Sequence, residues 1–167
     1  NAFVLNLGYD SLFKLCKLNA VKYITQSAKV SALVNVANKI LHTENKADIP
    51  SANFSIAVID TGIYPHLDFM VPHNKIIKFV DLVNNRDIPY DDNGHGTFVS
   101  GVIAGNGTVD SRYIGIDPFS NIIAIKALDQ NGETSASNIL TAMQWVYDHK
   151  NEFNIKVVCM SFGSLPL

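Results

Sequence analysis

Only two cysteines and one tryptophan occur in 167 residues, and charged side chains make up just 17% of the chain. Cys16 falls in a helical pattern and Cys159 inside an apolar run. Such a pair is too sparse for a disulfide framework and lacks the clustered ligands of a zinc site, so both are expected as free, buried thiols. A basic field is missing as well: the formal net charge is -2, and no run of Lys or Arg interleaves with aromatics. That excludes a surface built to track a phosphate backbone, so no nucleic acid is expected as a partner. No stretch approaches the ~20 consecutive apolar residues of a membrane span, and no basic-then-apolar leader is visible. No membrane partner is expected either. The chain begins at Asn1 rather than Met and stops at Leu165-Pro166-Leu167, directly after an apolar run. Both ends read as cuts, which leaves the compartment unknown.

What the chain does have is a 47% hydrophobic content, enough for a sizeable core. Residues 1 to 33 form a pattern of their own. Ala2 to Leu7 reads as an apolar strand, Asp10 or Ser11 can cap a helix with Leu12, Phe13, Leu15, Cys16 and Leu18 on one side, and Val21 to Leu33 alternates as a strand. A helical pattern at about residues 34 to 42 is followed by a polar connection from His42 to Asn53. From residue 54 the pattern changes to short apolar runs, Phe54 to Ile59, Ile76 to Val80, Asn121 to Leu128 and Ile155 to Met160. Helices are expected at about 95 to 105 and 135 to 150, the second with a buried stripe of Ile139, Leu140, Met143, Trp145, Val146 and Tyr147. Fully apolar strands alternating with amphipathic helices imply a parallel sheet covered on both faces, an α/β fold.

In an open parallel sheet, sites gather at the carboxyl ends of strands. The run Ser55 to Ile59 leads straight into Asp60, Thr61 and Gly62, a carboxylate where the backbone leaves the sheet. On its own, such an Asp is as well read as a turn cap. A second segment, Asp91-Asp92-Asn93-Gly94-His95-Gly96-Thr97, leads into a helix rich in small residues. An imidazole on a first helical turn feels the positive end of the dipole, which favours the neutral base. A carboxylate on its other nitrogen would fix the tautomer and stabilise the cation formed on proton transfer. Asp60 is the candidate for that role.

The segments Ala57-Val58-Ile59-Asp60-Thr61-Gly62-Ile63 and Asn93-Gly94-His95-Gly96-Thr97-Phe98-Val99-Ser100-Gly101 resemble the Asp and His signatures of the subtilisin (peptidase S8) family, in the family's order. Tyr113 to Pro118, Ile122 to Leu128, Gly132 and Val158 to Gly163 match in order and approximate spacing. The resemblance implies a three-layer subtilisin-like sheet, incomplete, over residues 54–167. It implies a linker and the start of the mature enzyme over 34–53. Residues 1–33 resemble the second half of the family's inhibitory propeptide, part of an α+β domain whose tail after Val21-Lys22-Tyr23-Ile24 would lie in the active-site cleft. The implied activity is serine endopeptidase, with Asp60 orienting His95 and His95 acting as general base. The implied partners are a peptide or protein substrate and the chain's own propeptide. Gly132, Glu133 and Thr134 correspond to one edge of the substrate cleft, and Ser161, Phe162 and Gly163 to the other.

The family's nucleophile lies in a Gly-Thr-Ser-Met-Ala type helix start, and its oxyanion-hole Asn also lies downstream; neither occurs in these residues. None of Ser100, Ser135, Ser161 or Ser164 has that context, so the piece is expected to be inactive as it stands. Phe98 stands where the family often has a second His. Asp68 stands where some members use a calcium ligand, but Asn106 to Arg112 does not resemble their calcium loop. No metal is therefore assigned, and Asp68 is the single calcium candidate. His42, His66, His73 and His149 read as surface or turn residues. Members of the family occur both secreted from and inside bacterial cells, so the resemblance does not decide the compartment. Two rivals remain. An apolar run before Asp60-Thr61-Gly62 also opens an aspartic protease site, though such proteins are almost entirely β. A non-catalytic scaffold or remnant that binds a partner would keep the same fold.

Overall fold

A computed structural model describes residues 5–25, 29–32 and 54–163. The expected helix at about 34 to 42 and the connection to Asn53 lie outside the described residues, as does the start of the expected first strand. Four parallel strands form the central sheet: β2 (Ser55–Asp60), β3 (Ile76–Asp81), β4 (Asn121–Lys126) and β6 (Ile155–Cys159), in the order β3-β4-β2-β6. A smaller sheet combines β1 (Lys29–Ala32), β5 (Glu133–Ser135) and β7 (Phe162–Gly163), with β1 in the middle and antiparallel to both neighbours. The helices are α1 (Tyr9–Leu15), the short α2 (Leu67–Met70), α3 (His95–Ala104) and α4 (Ala136–His149).

Alternation along the strands sorts the core into two layers, because successive side chains point to opposite faces. Ile56, Val58, Ile122 and Ala124 face α3 and pack with Val99, Ile103 and Ala104, while Phe69 and Phe79 extend that layer. Ala57, Ile59, Ile123 and Ile125 face the other way, onto Ala142 and Val146 of α4 with Ile139, Trp145 and Phe153. All six residues of β2 are buried, and each fully buried Ile or Val contributes about 1.5–3 kcal/mol. The chain is therefore an α/β structure with a helix on each face of a parallel sheet. Among the described residues, no helix is long and apolar enough to cross a membrane.

One cation inside this core is structural. Lys75, just before β3, is buried; its ammonium donates to the carbonyl of Ala104 at the end of α3 and to that of Pro118, the latter at 2.7 Å. It thereby satisfies a carbonyl that the last helical turn leaves without an intrahelical partner. Burial pulls its pKa down to about 8, against the attraction of Asp117 and Asp68.

Several expectations need correction. Residues 5–7 and 21–25 are not in strands; among the described residues of the long alternating stretch, only Lys29–Ala32 is paired. Alternation marks a sequence that can be a strand, but pairing supplies the hydrogen bonds, and among the described residues of this stretch only Lys29–Ala32 lies between two partner strands. Helix α1 ends at Leu15 and buries none of its residues, and Cys16 is exposed rather than buried. In α4 the stripe is narrower than its sequence suggests: Leu140, Met143 and Tyr147 are exposed, because the sheet edge beside them ends at β6. Trp145 does join the core layer, in a cluster of three mutually stacked rings with His149 and Phe153. His149 and His66 have local roles, the first bonding to the Trp145 carbonyl and the second capping α2.

Candidate active site

Strand β2 ends at Asp60, whose backbone carbonyl accepts from Ala127 and Leu128 as β4 leaves the sheet beside it. The chain then turns sharply at Gly62, with φ of 118°. A Cβ there would meet the carbonyl oxygen of Tyr90 at 2.2 Å, so the turn requires glycine. Helix α3 seats directly on this turn. Its first residues are His95 and Gly96, and a Cβ on Gly96 would lie 2.1 Å from the Gly62 carbonyl oxygen and 3.1 Å from Asp60 Cβ. The missing side chain lets the helix bring His95 against the carboxylate.

His95 Nδ1 lies 2.7 Å from Asp60 Oδ1, and both residues are buried, at 8% and 1% exposure. The Thr61 amide donates to the same oxygen at 2.7 Å. Burial pushes the Asp60 carboxyl above its ordinary value, while the hydrogen bonds from His95 and Thr61 pull against that rise. His95 Nε2 and Asp60 Oδ2 are buried with no hydrogen-bond partner among the described residues. The imidazole is thus held by one nitrogen and presents the other, the arrangement that general-base chemistry uses.

The two halves of this pair are fastened by residues that the sequence did not single out. Asp91 is the hub. Its carboxylate accepts from the Thr61 hydroxyl, the amides of Asn93, Gly94 and Thr97, and the Thr97 hydroxyl at 2.6 Å. These bonds hold its carboxyl below the ordinary range although burial works the other way. Thr61 Oγ1 in turn accepts from Gly96 N, and Thr97 Oγ1 from Tyr64 N. Lys126, fully buried at the end of β4, is the second fastening. A charged residue inside the otherwise apolar run Ile122 to Leu128 was the signal available in the sequence, since lysine is almost never fully buried unless paired.

The six residues expected at a substrate cleft come together around β1. Lys29, Val30 and Ser31 pair with Ser135, Thr134 and Glu133; Ser31 and Ala32 pair with Gly163 and Phe162. Gly132, at φ of 73°, makes the turn into β5, and Ser161 immediately precedes β7. Asp129 shapes that turn by accepting from the amides of Asn131 and Glu133. The His95 loop touches this edge, as Asn93 Nδ2 donates to the Gln130 carbonyl at 3.0 Å. Phe98, on the second turn of α3, is exposed.

Asp68 is tied by hydrogen bonds to the loop that follows α3. Its carboxylate accepts from the Val109 amide, its carbonyl accepts from the Asn106 amide, and the Asn106 side chain turns its N–H group to the Val71 carbonyl. Calcium needs six to eight oxygen ligands, and among the described residues no group of three or more His, Cys, Asp or Glu side chains converges.

Comparison with known proteins follows the same lines. The profile of the Subtilase family (peptidase S8) matches residues 51–166. Serine protease AprX of Bacillus subtilis is 34% identical over 158 residues, covering 89% of this chain and 35% of that protein. The thermostable alkaline protease of Halalkalibacterium halodurans is 30% identical over 163 residues, covering 95% of this chain and 42% of that protein. Among solved structures, a cold adapted subtilisin-like serine proteinase superposes with a TM-score of 0.52 at 28% identity, over 61% of this chain and 34% of that one. The CspB protease of Clostridium perfringens superposes at 0.57 with 20% identity, over 70% of this chain and 30% of that one, a likeness of fold alone. The chain spans well under half the length of these curated relatives.

Proposed function

The chain belongs to the subtilase family, and on that premise we propose that it is the front part of a serine endopeptidase in which Asp60 and His95 are two members of the catalytic triad. The observation that carries the reading is the buried 2.7 Å contact of His95 Nδ1 with Asp60, with Nε2 left to meet a hydroxyl. In the reaction His95 Nε2 takes the proton of the serine hydroxyl as that oxygen attacks the scissile carbonyl, and returns it to the leaving amine. Asp60 fixes the Nδ1–H tautomer and stabilises the imidazolium between those steps. The serine and the oxyanion-hole Asn come from sequence beyond the 167 residues, so this piece does not cleave peptides by itself.

The cleft reading rests on β1. A segment of the same chain lies as the middle strand between β5 and β7, making main-chain ladders to both, which is how an extended peptide is held by strand addition. That supports residues 1–33 as the end of a propeptide and Gly132, Glu133, Thr134, Ser161, Phe162 and Gly163 as the substrate edges. Substrates are then peptides or proteins that bind in the place of Lys29–Ala32.

The test is a serine-directed fluorophosphonate probe applied to the full-length protein, with His95→Ala as the control. Labelling of the parent and its loss in His95→Ala is the expected result. A full-length protein that folds but takes no label, with no peptide hydrolysis, overturns the catalytic reading in favour of a binding scaffold.

A further inference from the structure

Strand β4 places Lys126 directly beside Asp60 in the parallel register, on the α3 face of the sheet. Its side chain has no exposed surface. Three acceptors surround the ammonium: the Thr61 carbonyl at 2.6 Å, the Leu128 carbonyl at 2.9 Å and Asp92 Oδ1 at 2.6 Å. The Tyr90 ring lies beneath it, with Nζ 5.1 Å from the centroid. Three N–H donors meet three oxygens, so the group is saturated. We propose that Lys126 is a positioning residue for the Asp60–His95 pair, pinning the turn that follows Asp60 to the loop that precedes His95.

The argument is one of connectivity and cost. Thr61 is the residue after Asp60, and Asp92 lies three residues before His95. A single atom, Lys126 Nζ, bonds to both, and its third bond returns to its own strand end. The neighbouring Asp91 network joins the same two segments through Thr61 and Thr97, but through the Thr61 hydroxyl rather than its carbonyl. Two independent fastenings restrict rotation of one segment against the other, which one alone would permit. A buried cation is costly to desolvate, and replacing a buried ion pair by apolar residues is often neutral or stabilising. A lysine here is therefore poorly explained by stability alone. It is well explained by geometry, because misplacement of a catalytic group by 1 Å costs about 100-fold in rate. Arginine would not serve, since its planar fork cannot direct three bonds from one point. The charged and titratable groups beside this position are Asp60 on β2, Asp81 on β3, Tyr90 and Asp92 in the loop before α3, and Asp129 after β4.

The proposal rests on the catalytic reading of Asp60 and His95, and its test separates the two. In the full-length protein, Lys126→Met is expected to lower kcat about 100-fold with KM within about twofold, and to shift or broaden the downfield His95 Nδ1–H proton resonance. A role in folding alone would leave kcat and that resonance unchanged in the molecules that fold. Asp92 is one-third exposed, so Asp92→Asn tests the same link with the lysine kept, and it decides the matter if Lys126→Met does not fold. It is expected to lower kcat about tenfold, the size of a lost charge-assisted hydrogen bond. Folded variants with kcat within twofold of the parent, or with the loss carried by KM, overturn the proposal. If the parent itself has no peptidase activity, the catalytic reading falls, and the His95 Nδ1–H resonance in Asp92→Asn against the parent then decides the positioning role alone.

Discussion

Strands β2 and β6 are parallel neighbours, paired from Ser55 with Ile155 to Val58 with Cys159, and their sequences are equally apolar. Their surroundings differ. β2 is buried at every position, whereas β6 is buried only at Ile155, with Val157 and Val158 exposed at 48% and 41%. Met143 and Tyr147 of α4 face the same open side, and with Val158 and Met160 they line a groove of about 320 Å³. The comparison separates two jobs. The enclosed middle of the sheet fixes the Asp60 end, because no strand there can shift without disturbing both core layers. The open edge has side chains suited to burial and hydrogen-bonding groups suited to a further strand. We propose that more of the family's sheet covers it in the full-length protein.

The sharpest way to break this comparison is to place the same charge on both strands. Val58→Asp buries an unpaired carboxylate at a site 2% exposed and is expected to abolish folding, a cost of more than about 4 kcal/mol. Val158→Asp in the 167-residue chain is expected to stay within about 0.5 kcal/mol, as exposed substitutions do. Urea denaturation followed by circular dichroism reads both. In the full-length protein the second change should become costly, by about 2 kcal/mol or more. An equally small effect there means that nothing covers β6.

The same contrast explains what could be seen in the sequence. Apolar run length and helical spacing located all four strands of the large sheet and both long helices, since those patterns report burial on two faces or one. They could not tell β2 from β6, because a sequence carries the burial a strand was built for and not what lies against it in this chain. The three exposed residues of α4, Leu140, Met143 and Tyr147, were misjudged for that reason. At the site, the contact between Asp60 and His95 could be expected from the pairing of a strand-ending carboxylate with a Gly-flanked imidazole, neither of which is decisive alone. Asp91 and Lys126 were not legible, since their roles exist only once loops 30 or more residues apart meet at Thr61. Cys16 failed for the simplest reason: a helical face says which side is apolar, not whether anything packs on it.

Two glycines of α3 sharpen the comparison at smaller scale. Gly96 faces the Asp60 turn, where a Cβ has no room, whereas a Cβ on Gly101 meets nothing within 4 Å. Gly96→Ala is expected to cost about 1–3 kcal/mol, the range for overpacking a filled site. Gly101→Ala is expected to gain about 0.5–1 kcal/mol, because alanine loses less backbone entropy in a helix. Thermal midpoints of the two variants should therefore move in opposite directions. Equal shifts would mean that α3 is not seated on the Gly62 turn.

Asp60 and Asp91 extend the contrast to pH, and here the signs oppose. Asp91 has its folded pKa below the ordinary 3.8, so its contribution is fully present above that value and is lost as pH falls through the folded one. Asp91→Asn is expected to cost about 1–3 kcal/mol at pH 7, from bonds made to a charged acceptor, and the gap from the parent should close below about pH 4. Asp60 has its folded pKa above 3.8 because of burial. Its folded form holds a proton more tightly than the unfolded chain, so it works against stability as pH rises past 3.8. Asp60→Asn should consequently gain on the parent over that interval, where Asp91→Asn loses. Denaturation midpoints of the three proteins from pH 3 to 7 measure both slopes. Parallel slopes would mean that the two carboxylates do the same work. Opposite slopes would mark Asp91 as the carboxylate whose charge holds the turn and Asp60 as the one whose charge burial opposes.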